Sequence, residues 1–335
     1  MKIPNQIAES QFRDILSLIK SSRYKVLKSI NSELIDLYWN VGRFISENCS
    51  QNNWGENTVV NLSKYIIEKE PEVKGFSPQN LWRMKQFYET YSQDEFLSPL
   101  VREISWTNNL LVLSKTKNLK EKEFYIRLSI KENYSKRELE RQIESGFYER
   151  TMLSGELLPS KLKRIHPKIE NVFKDNYILE FLNLPHQYSE KEFQKAIIAN
   201  LKDFILEFGK DFSFLGEEYP VQVGNEDFYI DLLFFHRELK CLVALELKIG
   251  SFKPEYLGKM EFYLEALDRK VKKEHENPSV GIILCKTKDK DVVEISLSRS
   301  LSPTLVSDYQ TKLIDKELLR SKMREFFEIE DKKHE

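Results

Sequence analysis

The chain has 335 residues, more than one domain usually holds, so two domains are expected. It is 41% hydrophobic and 31% charged, with a formal net charge of -1. That balance excludes a global field that draws in nucleic acid and confines any basic surface to a local patch.

The N-terminal "MKIPNQIAES" lacks the apolar centre of a signal peptide. No run of about 18 apolar residues follows, so no membrane span is expected. Cys49, Cys241 and Cys285 are sparse and lack CxxC spacing. They indicate neither a disulfide framework nor a zinc site, and a reducing cytoplasm is the simplest setting.

Residues 1–150 read as helical. Leu27, Ile30, Leu34, Leu37, Val41 and Phe44 step by three and four, a heptad-like stripe on a long helix. Such a stripe serves either as the inner face of a bundle or as the seam of a homodimer. Gly55 stops that helix, and a second covers about Asn57 to Lys69. Pro71, Gly75 and Pro78 then punctuate the chain. Ser77 is a natural N-cap and Pro78 suits the first helical position of a helix running to about Tyr91.

Two helices around a turn are helix-turn-helix-like. In that motif the front of the second helix meets base edges. Here the front offers Gln79, Asn80 and Arg83, with Lys85 and Gln86 behind, all side chains able to contact nucleic acid. An ordinary helical hairpin with a polar outer face gives the same pattern.

Helices continue over Trp106–Lys115, Glu121–Glu132 and Ser135–Phe147. From Leu111 to Lys168 there are 14 Lys/Arg against 8 Asp/Glu, a net of +6. This is either a phosphate-facing surface or a solvated face of i,i+4 pairs. Gly155, Pro159 and Pro167 mark 151–168 as a linker, dividing a helical domain (1–150) from a second domain (169–335).

The second domain changes grammar. A helix is expected over Ile169–Leu182. Ser189 caps another, "EKEFQKAIIANLKDFILEFG", closed by Gly209. Strand-like runs follow at Phe212–Val223, Phe228–Phe235 and Cys241–Lys248. Pro254 then opens a helix, "SVGIILCK" reads as a strand and "DVVEISLS" as a helix. Helix, three strands, helix, strand is an α/β domain with a mixed sheet, so the whole chain is of the α+β two-domain class.

The stretch "FYIDLLFFHRELKCLVALELKIG" (228–250) is a hairpin carrying Asp231, Glu246 and Lys248 inside apolar runs. A turn at Glu238–Leu239 pairs residues whose numbers sum to 477. Asp231 then faces Glu246, and Tyr229 faces Lys248. Strict alternation puts Ile230, Leu232, Phe234, Val243, Leu245 and Leu247 on one face, with the polar trio on the other. Two facing carboxylates are destabilising and require compensation. Lys248 supplies one positive charge, and a hard divalent cation would supply more. A salt-bridge cluster on a wet sheet face is the simpler alternative. Three polar residues converging in one register favour the metal site.

These residues resemble the PD-(D/E)XK nuclease superfamily, whose core is a helix, three strands, a helix and a strand. More closely, "EDFYIDLLFFHRELKCLVALELKIG", "FKPEYLGKMEFYLEALD" and "NPSVGIILCK" resemble the bacterial YhcG-type family. "GFSPQNLWRMKQFYETY" and "SWTNNLLVLSK" are similar to that family's helical N-terminal half.

The resemblance implies a restriction-endonuclease-like fold and a Mg²⁺- or Mn²⁺-dependent nuclease acting on DNA, with RNA left open. It implies that Asp231 and Glu246 hold the metal with the Leu247 carbonyl. Lys248 would position or deprotonate the attacking water and stabilise the phosphate. The superfamily's helix-borne acid would be Glu192, with Glu207 next in line. Its polar residue in the following helix would be Lys259 or Tyr263, Lys259 touching nucleic acid and Tyr263 belonging to the core. Ile230 stands where the superfamily's name has proline. The alternative function is a binding protein that keeps the fold and does not cut.

Overall fold

The computed structural model describes residues 30–51, 54–153, 160–166, 172–298, 300 and 302–334. Leu27, Pro159, Pro167 and the start of the helix expected from Ile169 lie outside them. The chain divides into two compact units between Ile143 and Glu144.

The first unit is helical. It comprises α1 (residues 30–50), α2 (Glu56–Lys69), α3 (Pro78–Tyr91), the short α4 (Leu97–Leu100), α5 (Trp106–Lys115), α6 (Leu119–Glu132) and α7 (Lys136–Glu144). Local chemistry sets the ends. Ser77, Ser105 and Asn118 each accept the backbone N–H three residues on, and Asn133 ends α6 in the left-handed region.

The core of α1 differs from the expected stripe. Tyr38 and Ile45 are buried against Val59, Leu81 and Met84, Ile35 is buried too, and Gly42 lies directly against the Met84 backbone. Ile30, Leu34, Leu37 and Phe44 are exposed. The stripe is therefore not the inner face of this helix among the described residues. The residues offset from it fill the core, because only Gly42 permits that close approach to α3.

The second unit contains α8 (Phe147–Leu153), α9 (Ser160–Ile165), β1 (Asn176–Ile178), α10 (Glu190–Ala199), α11 (Leu201–Phe208), β2 (Phe212–Val223), β3 (Glu226–His236), β4 (Cys241–Ser251), α12 (Glu255–Lys270), β5 (Asn277–Thr287), α13 (Lys290–Ser298), β6 (Thr304–Gln310) and α14 (Lys316–His334). The six strands form one mixed sheet in the order β1-β6-β5-β4-β3-β2. β1, β6, β5 and β4 run parallel, while β4, β3 and β2 are antiparallel.

Two apolar layers cover the sheet. On one side Phe193, Ile197 and Phe204 of α10 and α11 pack on Leu232, Phe234, Val243, Leu245 and Leu247. On the other, Leu257, Met260, Tyr263 and Leu264 of α12 pack on Leu233, Leu242, Ala244 and Ile283. Strands buried on both faces need continuous rather than alternating apolar sequence, as β4 and β5 show.

Two expectations are corrected. Residues 176–178 form a strand, not helix, because Tyr177 and Ile178 are buried where β1 pairs with β6. The single helix closed by Gly209 is broken at Asn200, whose side chain donates to the Ala196 carbonyl and leaves α10 and α11 separate. No helix among the described residues is long and apolar enough to cross a membrane.

Candidate active site

The β3–β4 ladder runs Leu232↔Leu245, Leu233↔Ala244, Phe234↔Val243, Phe235↔Leu242 and His236↔Cys241, the register whose partners sum to 477. Lys240, with φ +52°, turns the chain. The paired residues stop at Leu232/Leu245. There the Asp231 carboxylate accepts the Leu247 N–H at 2.7 Å, so a side chain caps the end of the ladder. Gln194 of α10 donates to the Asp231 carbonyl at 2.8 Å and fixes the strand from the helix side.

Alternation breaks at the same point. Ile230 packs with Leu233 and Ala244 on the α12 side, not with Leu232 and Phe234 as strict alternation predicts. By the β2–β3 register, Asp231 stands opposite Glu218, whose φ of +42° is left-handed. That local distortion re-aims the strand, as bulges do beside functional residues.

Glu246 is 1% exposed on the α12 side of β4. Its Oε1 receives Lys248 Nζ at 3.0 Å and Lys259 Nζ at 2.5 Å. Its Oε2 is buried and has no hydrogen-bond partner. Lys248 Nζ also donates to the Leu247 carbonyl at 3.1 Å and to Glu190 at 3.2 Å, and lies 5.4 Å from the Tyr256 ring centre. Lys259 lies 5.2 Å from the centre of the Tyr263 ring, and the Tyr263 hydroxyl donates to the Tyr229 carbonyl at 2.6 Å. Tyr263 itself is buried in the core.

Titration follows this geometry. Burial, then the charge of Glu246, pushes Asp231 up to about 6, against the opposing pull of the Leu247 N–H, Lys259 and Lys248. Burial works against the charged form of Lys248, but Glu246 and Glu190 outweigh it and raise its pKa. Lys259 is raised by the same contest with Glu246. Both lysines are ammonium ions at neutral pH.

The structure thus brings Asp231, Glu246, Lys248 and Lys259 together. It does not bring Glu192, whose carboxylate accepts the Ser189 N–H and hydroxyl, both at 2.8 Å, in a capping box at the start of α10. It does not bring Glu207 either, whose buried carboxylate accepts the Ile178 N–H beside Lys174 and Arg150. The acid of α10 that reaches the cluster is Glu190. Its signal lay in the spacing: Glu190 and Gln194 are four apart and share a helix face.

Sequence reasoning also missed Tyr256. Among the described residues no group of three or more His, Cys, Asp or Glu could hold a metal ion. The fit to a hard cation therefore rests on the Asp231/Glu246 pair and on the bare Oε2, an oxygen-only donor set.

In the helical unit the expected base-reading front is partly consumed by the fold. Asn80 donates to the Gly75 carbonyl and accepts from the Trp106 indole at 3.0 Å. Lys85 pairs with Glu89 at 2.7 Å and lies 5.8 Å from the Trp82 ring centre. Gln79, Arg83 and Gln86 are exposed. Arg83 and Gln86 border a hollow of about 380 Å³ with Lys115, Lys136 and Glu140.

Comparison with known proteins gives three findings. Residues 170–324 match the family model described as the YhcG PDDEXK nuclease domain, and residues 14–150 match the DUF1016 N-terminal domain. The chain is 30% identical to "Putative nuclease YhcG" of Escherichia coli (strain K12), over 92% of each chain. A repair endonuclease from Pyrococcus abyssi is 17% identical with a TM-score of 0.26, the match covering 38% of this chain and about half (49%) of that one.

Proposed function

This chain belongs to the YhcG family of PDDEXK nucleases, and from that premise we propose that it is a metal-dependent enzyme hydrolysing phosphodiester bonds in DNA. The observation that carries the reading is Glu246: a buried carboxylate beside a second acid, with one oxygen lacking any donor. A bare buried carboxylate oxygen costs about 1–3 kcal/mol. Glu149 Oε2 is bare as well, but Glu149 faces only Lys316 and Arg320 among its ion-pair partners, whereas Glu246 lies beside the acid Asp231, and it is that pairing that favours a cation.

Asp231, Glu246 and the Leu247 carbonyl would hold Mg²⁺ or Mn²⁺. The Leu247 oxygen accepts from Lys248 and keeps a second lone pair for this role. A bound divalent cation supplies a water of lowered pKa and offsets charge on the phosphate. Asp231 stays fixed through its bond to the Leu247 N–H, and Gln194 holds the backbone behind it. Lys248, an ammonium ion by virtue of Glu246 and Glu190, acts as a donor. It would orient the attacking water and stabilise the phosphate oxygens. Lys259 supplies a second positive charge for the substrate. In the helical unit, Gln79, Arg83 and Gln86 are the polar side chains available to nucleic acid.

The test incubates purified full-length protein with linear, circular and branched DNA, and with RNA, in Mg²⁺, Mn²⁺ or EDTA. Metal-dependent cleavage of DNA is the expected result. Cleavage of RNA alone would change the substrate. No cleavage, together with melting that millimolar Mg²⁺ leaves unchanged, would leave only the non-cleaving nucleic-acid-binding reading.

A further inference from the structure

The geometry points to Lys259 as a displaceable counter-ion that occupies Glu246 in the metal-free protein and must let go for a divalent cation to bind. This rests on the metal-dependent reading above and adds a device to it.

Two ammonium groups converge on one oxygen, Glu246 Oε1, while Oε2 has none. A buried carboxylate needs compensation, and two cations on one oxygen repel each other. The two lysines are not equivalent. Lys248 is 13% exposed and is tied to the Leu247 carbonyl and to Glu190 as well as to Glu246. Lys259 is 46% exposed, and among the described residues Glu246 is the one acid it pairs with. Its second support is Tyr263, through the ring and the hydroxyl, and that hydroxyl already donates to the Tyr229 carbonyl. Lys259 projects from α12, so its stem can swing toward solvent without moving a strand, whereas Lys248 is carried by β4 itself.

A divalent cation on Glu246 would meet two further positive charges at one carboxylate if both lysines stayed. The exposed, singly paired lysine is the one that yields. Metal affinity is then the difference between the cation's attraction for the two acids and the loss of the Lys259 pair. A residue that competes with metal weakens its binding, the opposite of what a purely structural support for Glu246 would do.

Mn²⁺ titrated calorimetrically into metal-free parent, Lys259→Gln and Lys259→Arg proteins separates the cases. Lys259→Gln should bind Mn²⁺ about 3- to 10-fold tighter than the parent, and Lys259→Arg, which keeps the competitor, close to parent affinity. Equal or weaker binding by a folded Lys259→Gln protein would overturn the proposal while leaving the metal site standing. A parent that binds no Mn²⁺ would overturn both this proposal and the metal-dependent reading. If Lys259→Gln does not fold, NMR of the lysine ¹⁵Nζ groups in the parent decides, with Lys259→Arg giving the assignment. The Lys259 ammonium signal should shift or broaden on Mg²⁺ saturation, and an unchanged signal would overturn the proposal.

Discussion

Asp231 and Leu247 are joined by a side chain where the ladder would otherwise have continued through backbone: the carboxylate accepts the Leu247 N–H at 2.7 Å. The bond fixes one acid against the strand that carries the other. Burial and then the charge of Glu246 push Asp231 up to about 6, with the bond to the Leu247 N–H pulling the other way.

Asp231→Asn should therefore stabilise the metal-free protein. An unfolded aspartate titrates near 3.9, and the folded one near 6, so the folded state binds the extra proton. Stability from this group is lost as pH rises between those values and stays lost above them, to the extent of about 1–3 kcal/mol. Asparagine keeps an acceptor for the Leu247 N–H and carries no charge. Urea melts in EDTA at pH 4.5 and 7.5 check this: the variant should gain on the parent mainly at pH 7.5. In millimolar Mg²⁺ the order should narrow or reverse, because ligand binding stabilises only the parent. A variant no more stable than the parent at pH 7.5 would refute the account.

Lys248→Met should fold, retain Mg²⁺-induced stabilisation and lose cleavage by about 10²-fold or more, as expected for removal of a donor aimed at developing charge. Glu246 keeps Lys259 as counter-ion in this variant. Loss of folding in place of loss of turnover would make Lys248 a structural cation only.

Gln194→Leu removes the donor to the Asp231 carbonyl. The expected cost is about 1 kcal/mol of stability with a fall in turnover and little change in substrate affinity. Steady-state cleavage kinetics beside denaturant melts read both. An unchanged turnover would show that the carbonyl needs no anchor.

Asn80 and Arg83 should separate in the helical unit. Asn80→Ala breaks the bonds to the Trp106 indole and the Gly75 carbonyl and should cost about 1–2 kcal/mol of stability. Arg83→Glu should leave the melt unchanged and weaken duplex binding, with a salt dependence shallower by about one ion. Binding curves of the full chain in Ca²⁺ at two salt concentrations test it. Equal curves for parent and variant would remove Arg83 from the nucleic-acid surface.

The hairpin register from Leu232/Leu245 to His236/Cys241 was readable because one face is apolar and the other carries the acids, so that a one-residue slip would drive an acid into the apolar layer. The start of α3 was readable from Ser77 and Pro78, whose chemistry is local. What depended on distant partners was not. Nothing near Tyr177 announces that β6, more than a hundred residues on, will pair with it. The stripe of α1 looked like a core face, yet Gly42 sets the contact, and a glycine carries no hydrophobic signal. Glu192 shares the first turn of α10 with Glu190 but not its face: its capping box with Ser189 is itself a sequence pattern and reserves that carboxylate. Ile230 left its expected face because of a left-handed residue on the neighbouring strand.

The order of the chain along the sheet has a consequence for biosynthesis. β3 and β4 adjoin in sequence, so the two acids meet through a short loop, a closure of low entropy cost. Lys259 comes from the next helix to be made, while β6, which bridges β5 to β1, is made later still. A nascent chain ending before α12 holds Glu246 with half its positive partners, and one ending before Thr304 leaves β5 as an open edge with β1 unpaired. The repulsion between the acids is relieved before the sheet is closed. Stalled chains of increasing length should show hairpin protection in hydrogen exchange once α12 has emerged, and protection of β1 only after β6 has.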